Sequence, residues 1–118
     1  MKMMPISTAL ATAIAGLTVM SAADAASFDG SWSVVIQTTR GACDPSYNVG
    51  ISISNGVISG PAGVQGRVSS SGAVSVAVSS GGSSANGTGK LSGSSGGGSW
   101  SGHGSRGPCS GRWAARRG

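Results

Sequence analysis

The chain has 118 residues, 22 of them glycine, with eight basic and three acidic side chains and a net charge of +5. This length allows one small domain. The excess of basic side chains favours binding to polyanions or acidic partners. An equally weighted alternative is that the positive charge only keeps the protein soluble. With no glutamate and only one histidine, His103, the chain offers few residues for an acid–base pair or a metal site.

The amino terminus has the pattern of a secretory signal peptide. Lys2 supplies a positive charge, residues 6–20 are apolar or small, and residues 23–25 form an A-x-A cleavage site. The apolar run is too short and too interrupted for a membrane anchor. We therefore expect a signal peptide over residues 1–25 and a single β-barrel-like domain over residues 26–118. The mature domain would be periplasmic or extracellular, with no transmembrane segment.

Apolar residues in the rest of the chain recur with period two, which predicts strands. The clearest case is the segment 30–38, and no segment has the apolar spacing of an amphipathic helix. One side of this first strand would present Trp32, Val34, Ile36 and Thr38, and the other Ser31, Ser33, Val35 and Gln37.

Turn residues set the expected register of neighbouring strands. Asn55 and Gly56 favour a type I′ hairpin, which places Ile53 opposite Ile58. A three-residue loop at 70–72 and a tight turn at 81–82 predict the pairs Val68–Val74, Gly66–Val76, Val64–Val78 and Val78–Ala85.

Two further expectations concern the carboxy-terminal third. A turn at Ser94 and Ser95 would place Trp100 across from Gly89, a large ring over a glycine. Residues 103–108 would form a loop before the last strand.

These patterns together predict an all-β fold. We expect a small eight-stranded antiparallel up-and-down meander closed into a narrow barrel, with a two-sheet sandwich as the alternative. Closure would remove exposed strand edges. It would also bring Cys43, after the first strand, to Cys109, at the start of the last, and an exported protein can keep them as a disulfide. Many inward glycines favour an interior filled by side chains, without a large cavity.

The Gly30-x-Trp32 motif near the start of such a meander resembles the G-x-W opening of calycins, the lipocalin-like and avidin-like barrels. In those folds a basic residue of the last strand covers the first-strand tryptophan. The resemblance implies a cation–π cover from Arg116 or Arg117. Arg117 is the better candidate because it shares the inward parity of Trp113.

The segments FDGSWSVVIQTTRGACDPSYNVGI and CSGRWAARR are similar to a family of short exported proteins from alphaproteobacteria. The similarity covers nearly all of residues 26–118. Members of that family sometimes carry a loose heme-utilisation or adhesion label, and the family has no established activity. His103 and Tyr47 are the single histidine and tyrosine, so the chain offers few axial ligands to heme.

Two sets of side chains are candidates for a functional role. The aromatic set could form the core or a ligand-stacking platform, and it comprises Trp32, Tyr47, Trp100 and Trp113. The basic set could form an anion-binding surface, and it comprises Arg106, Arg112, Arg116 and Arg117. Both mature carboxylates, Asp29 and Asp44, are expected at turns.

We expect a non-enzymatic exported β-domain that binds at the cell envelope, with no catalytic residue, metal or cofactor. Its partner would be an anionic envelope component or a secreted protein, and nucleic acid is the weaker choice. Binding to an anionic polymer should weaken with salt and on replacing Arg112 and Arg116 by serine. The alternative is an inhibitor of a secreted protease that uses residues 26–29 as an inserting arm. A heme or small-ligand carrier ranks third.

Overall fold

The structure is a computed structural model that describes residues 28–118. The predicted signal peptide and residues 26 and 27 of the predicted arm lie outside this range. Eight strands follow one another along the chain: β1 (Gly30–Arg40), β2 (Ser46–Ser54), β3 (Val57–Ser59), β4 (Val64–Val68), β5 (Ala73–Ser80), β6 (Ser83–Ser92), β7 (Ser95–Gly104) and β8 (Gly107–Arg117).

Each strand pairs antiparallel with the next, and β8 pairs with β1, so the sheet closes into a barrel. The predicted all-β meander and its closure are confirmed, and the sandwich alternative is not what forms. The predicted disulfide is also confirmed: Cys43 and Cys109 are bonded, with 6.1 Å between their Cα atoms. It ties the β1–β2 loop to the beginning of β8, next to the seam where the barrel closes.

The register predicted from the turns is confirmed for the pairs β2–β3, β4–β5 and β5–β6. Asn55 and Gly56 have φ values of 51° and 77°, as a type I′ turn requires. The observed pairs include Ile53–Ile58, Val68–Val74, Gly66–Val76, Val64–Val78 and Val78–Ala85.

The predicted turn before β7 was wrong by one residue. Gly93 and Ser94 form the turn, with Gly93 at a φ of 62°, and Trp100 therefore pairs with Gly87 rather than Gly89. Glycine takes this left-handed conformation without steric cost, so the turn forms where the glycine stands. Moving the turn by one residue changes the pairing by two, which leaves Trp100 on the same side of the sheet.

Trp113 of β8 is the ring that lies over Gly89. A Cβ atom added at Gly89 would come within 2.5 Å of Cζ2 of Trp113. The indole Nε1 of Trp113 donates a hydrogen bond to the carbonyl oxygen of Thr88, at 3.2 Å. A tryptophan thus fills the space that a missing side chain on β6 leaves in the interior.

The expected loop over residues 103–108 was also wrong. β7 continues to Gly104 and β8 begins at Gly107, so only Ser105 and Arg106 form the turn. Pro108 is tolerated in the sheet because it lies close to the start of its strand, where a missing N–H costs little. His103 pairs with Pro108 and is an exposed strand residue.

The buried core lies toward one end of the barrel. Its largest fully buried side chain is Trp32, with 1% of its surface exposed, and around it pack Val34, Ile53, Ile58, Val68, Val74, Leu91 and Ala115. The inward residues near the other end are only partly buried, and they include Ile36, Val49 and Val64. Burial therefore decreases along the barrel axis, from the end that holds both chain termini of the barrel to the end that holds the disulfide.

Candidate functional site

One end of the barrel is sealed by Trp32 and Arg117. The Trp32 Nε1 donates to the carbonyl oxygen of Phe28, at 2.9 Å, and Cζ of Arg117 lies 5.1 Å from the centre of the indole ring. Arg117 also donates to the carbonyl oxygens of Asp29 and Gly93, each at 2.9 Å. The expected cation–π cover is present, and it joins the beginning of β1, the end of β8 and the β6–β7 turn.

Phe28 and Asp29 are part of this seal. Phe28 packs against the core cluster, and a carboxylate oxygen of Asp29 accepts a hydrogen bond from the backbone N–H of Asn55, at 2.9 Å. Asp29 itself lies directly before β1, and its carboxylate binds the β2–β3 hairpin turn. Phe28 and Asp29, the described half of the segment 26–29, therefore contact the barrel.

The opposite end is open and contains a cleft of about 500 Å³. Four connections surround it: the β1–β2 loop at 41–45, the β3–β4 loop at 60–63, and the turns at 81–82 and 105–106. We call this the open-end cleft. Its lining includes Cys43, so the disulfide to Cys109 fixes the β1–β2 loop at one side of the cleft.

Two aromatic side chains line the open-end cleft. Tyr47 has 49% of its surface exposed, and Trp100 is partly buried. The Trp100 Nε1 donates to the carbonyl oxygen of Gln37, at 3.1 Å, across the β8–β1 seam. Trp100 is thus held at one edge, and Tyr47 is available for contact with a bound molecule.

Four aliphatic side chains line the inner part of the cleft, and we call them its throat. The same four residues line an inner cavity of about 100 Å³ whose lining is otherwise apolar, and they are Ile36, Val49, Val64 and Val78. The expectation of a narrow interior agrees with this volume, whereas the larger open-end cleft was not predicted. The open-end cleft, with its two aromatic rings, and the apolar inner cavity therefore adjoin at these four side chains.

Polar and charged groups stand at the rim of this cleft. Asp44, His103 and Arg106 line the open-end cleft. The hydroxyl of Thr38 donates to the carbonyl oxygen of Asp44, at 2.6 Å, which fixes the predicted turn at Asp44. The arrangement suits a molecule with a polar group at the rim and an apolar part directed inward.

The four candidate aromatic residues do not form one platform. Trp32 lies at the sealed end and Trp113 lies inside the barrel, where both pack with the core. Tyr47 and Trp100 lie at the open end and are the two that a ligand could reach.

The four candidate arginines are also separated. Arg106 is in the turn at the open end, Arg117 is at the sealed end, and Arg112 and Arg116 are exposed on the outer face of β8. Ten residues of extended strand between Arg106 and Arg116 span about 33 Å, so these charges do not act as one cluster. A further arginine that the sequence analysis did not single out, Arg40, lies on the same outer face.

No known protein family, curated protein or solved structure matches the chain. Within residues 28–118 there is no helix long and apolar enough to cross a membrane. Nor, among the residues that the structure describes, do three His, Cys, Asp or Glu side chains come together in a way that could hold a metal ion.

Proposed function

We propose that this protein is an exported, non-enzymatic binding domain that takes a small amphipathic molecule in the open-end cleft. The observation that carries the proposal is the asymmetry of the barrel. One end is sealed by Trp32 and Arg117, and the other has a cleft, lined by Tyr47 and Trp100, that adjoins an apolar inner cavity. Ligand sites are concave and mainly apolar, with a few polar groups that fix orientation, and the open-end cleft has this character.

The disulfide supports export. Cys43 and Cys109 are bonded, and such bonds persist in oxidising compartments such as the periplasm or the exterior. The amino-terminal pattern of the sequence adds a signal peptide to this argument. Binding would then take place at or outside the cell envelope.

The test is a fluorescence titration of the full chain with the anionic naphthalene dye 1-anilinonaphthalene-8-sulfonate. We expect saturable binding of one dye per chain. Val78→Phe fills the throat of the cleft and should weaken dye binding about tenfold. The reason is that excluding about 60 Å² of apolar dye surface from the throat costs about 1.5 kcal/mol of binding free energy. Tyr47→Ala removes an exposed ring from the rim and should weaken binding without disturbing the core.

Val57→Phe is the matched control. Val57 has 49% of its surface exposed on a strand of the outer wall, so the same exchange adds a ring away from the throat. Dye affinity should stay within about twofold of the parent, since solvent-facing changes seldom propagate. Circular dichroism melts of all variants check the fold. If Val78→Phe and Tyr47→Ala bind the dye as the parent does, the open-end cleft is not the site.

A heme carrier is a narrower form of the same proposal. The inner cavity of about 100 Å³ is smaller than the roughly 150 Å³ that accepts benzene, so a porphyrin would have to bind in the open-end cleft itself. Tyr47 and His103 line that cleft and are the available axial ligands. A Soret band that appears on hemin addition and is lost in Tyr47→Phe or His103→Ala would favour heme over other amphipathic molecules.

A further inference from the structure

A second concavity lies on the outer wall of the barrel, where β6, β7 and β8 run side by side. It is a shallow cleft of about 650 Å³, and its polar lining comprises Arg40, Ser84, Asn86, Ser101, His103 and Ser110. We call it the outer cleft. No carboxylate lines it. Ser84 and His103 also line the open-end cleft, whereas Arg40, Asn86, Ser101 and Ser110 do not, so the proposal below rests on these four residues and is tested separately from the proposed function.

A β-bulge at the end of β1 turns Arg40 toward this cleft. Strict alternation from Trp32 would direct Arg40 into the barrel. The register between β1 and β8 shifts after Thr38, which pairs with Gly111, so that Arg40 pairs with Ser110. The extra residue in the bulge exchanges the two faces of the strand, and Arg40 becomes an exposed outer side chain.

Barrel closure places Arg40 beside Arg112. Arg112 lies opposite Gln37 on β1 and Ser99 on β7, and it is two residues from Ser110, the partner of Arg40. The two arginines are therefore diagonal neighbours across the seam, a relation in which Cα atoms are about 7–8 Å apart and long side chains can reach each other.

Two like charges at this spacing repel each other unless an anion is shared between them. The carboxylates of the described chain, Asp29 and Asp44, lie elsewhere: Asp29 binds the N–H of Asn55 at the sealed end, and Asp44 lines the open-end cleft. The seam thus carries two neighbouring arginines. Arg40 lines the outer cleft, Arg112 lies beside it on β8, and no carboxylate lines that cleft.

We propose that the outer cleft binds an acidic glycan. Arg40 and Arg112 would each donate to a carboxylate or phosphate oxygen, for which the planar guanidinium fork is well suited. The hydroxyls of Ser101 and Ser110 and the amide of Asn86 line the cleft and can donate to and accept from sugar hydroxyls.

The surface around the cleft favours a glycan over a nucleic acid or a membrane. The outward positions of β6, β7 and β8 carry no Trp, Tyr or Phe on which a base could stack. They also carry no large aliphatic side chain that could insert into a lipid surface. Hydroxyl and amide groups flanked by two arginines match a chain of hydroxylated, negatively charged sugars.

Isothermal titration calorimetry of the full chain with a galacturonate hexasaccharide at low salt tests the proposal. We expect saturable binding that weakens about fivefold in Arg40→Gln or Arg112→Gln and about 20-fold in the double variant, as for solvent-accessible charged hydrogen bonds. Arg67→Gln is the matched control, since Arg67 is exposed on β4, four strands away from Arg112 around the wall. It changes the net charge equally and should leave the affinity within about twofold.

Three further probes identify the chemistry. Maltohexaose, a neutral hexasaccharide, should bind at least about tenfold more weakly than the galacturonate oligomer because it cannot use the arginines. Asn86→Ala should weaken binding of the galacturonate oligomer and leave binding of inorganic phosphate unaffected. Binding that ignores Arg40→Gln and Arg112→Gln would overturn the proposal. So would tighter binding to a single-stranded oligonucleotide, to phosphatidylglycerol vesicles or to inorganic phosphate alone.

Discussion

Arg117 joins three separate parts of the chain at the sealed end, and Arg117→Ala measures what that seal contributes to stability. Its partly buried hydrogen bond to the carbonyl oxygen of Asp29 should be worth about 1.5 kcal/mol. The exposed bond to Gly93 should add about 0.5 kcal/mol. The contact with the ring of Trp32 should add about 1 kcal/mol. Because one side chain makes all three contacts, we expect a combined loss of about 2–3 kcal/mol.

The assay is thermal unfolding followed by circular dichroism with the disulfide intact. For a domain of this size each kcal/mol moves Tm by about 4–8 °C, so Arg117→Ala should lower Tm by about 10–20 °C. Arg116→Ala is the matched control, one residue earlier on β8 and exposed on the outer face. It should change the free energy of unfolding by no more than about 0.5 kcal/mol.

Arg117→Lys separates the charge from the geometry. Lysine keeps the positive charge but cannot donate from a planar fork to two carbonyl oxygens at once, so its Tm should fall between those of the parent and Arg117→Ala. If Arg117→Ala and Arg116→Ala melt within about 2 °C of each other, the seal does not stabilise the barrel and the reasoning fails.

Two other predictions concern the seam. Gly111→Ala should destabilise by about 1–3 kcal/mol because its Cβ would overlap the carbonyl oxygen of Gln37. Gly50→Ala, whose added Cβ would meet nothing within 4 Å, should be neutral or slightly stabilising. Chemical denaturation of both variants checks this, and equal losses of stability would contradict the register. Cys43→Ser with Cys109→Ser should cost about 4 kcal/mol, since the bond closes a loop of 66 residues; an unchanged midpoint in denaturant would contradict this.

The sequence predicted those parts of the fold that have an unambiguous local signal. Asn55 and Gly56 admit one common hairpin geometry, and the period-two pattern then fixes which residues face each other. The run of glycine and serine at 93–97 admits several turns of nearly equal energy, and it was there that the predicted register was wrong. The side of the sheet was still correct because the error changed the pairing by two residues.

The candidate sites were less predictable because they depend on closure and on a bulge. Tyr47 and Trp100 come from distant strands, and no local pattern distinguishes a ring at the open end from one in the core. Arg40 would have been assigned to the interior by alternation, and only the bulge after Thr38 brings it to the outer wall. A run of outward Arg, Gln and Ser around the seam is the one sequence signal that could have indicated a polar surface there.

The most direct test of the open-end cleft as the binding site is a map of backbone amide chemical shifts in a ¹H–¹⁵N NMR titration with 1-anilinonaphthalene-8-sulfonate. The largest changes should occur at Tyr47, Val64, Val78 and Trp100, which line the cleft and its throat. Amides around Trp32, at the sealed end, should change little. Shifts concentrated at the sealed end, or spread evenly over the outer wall, would contradict the proposal that this barrel binds through its open end.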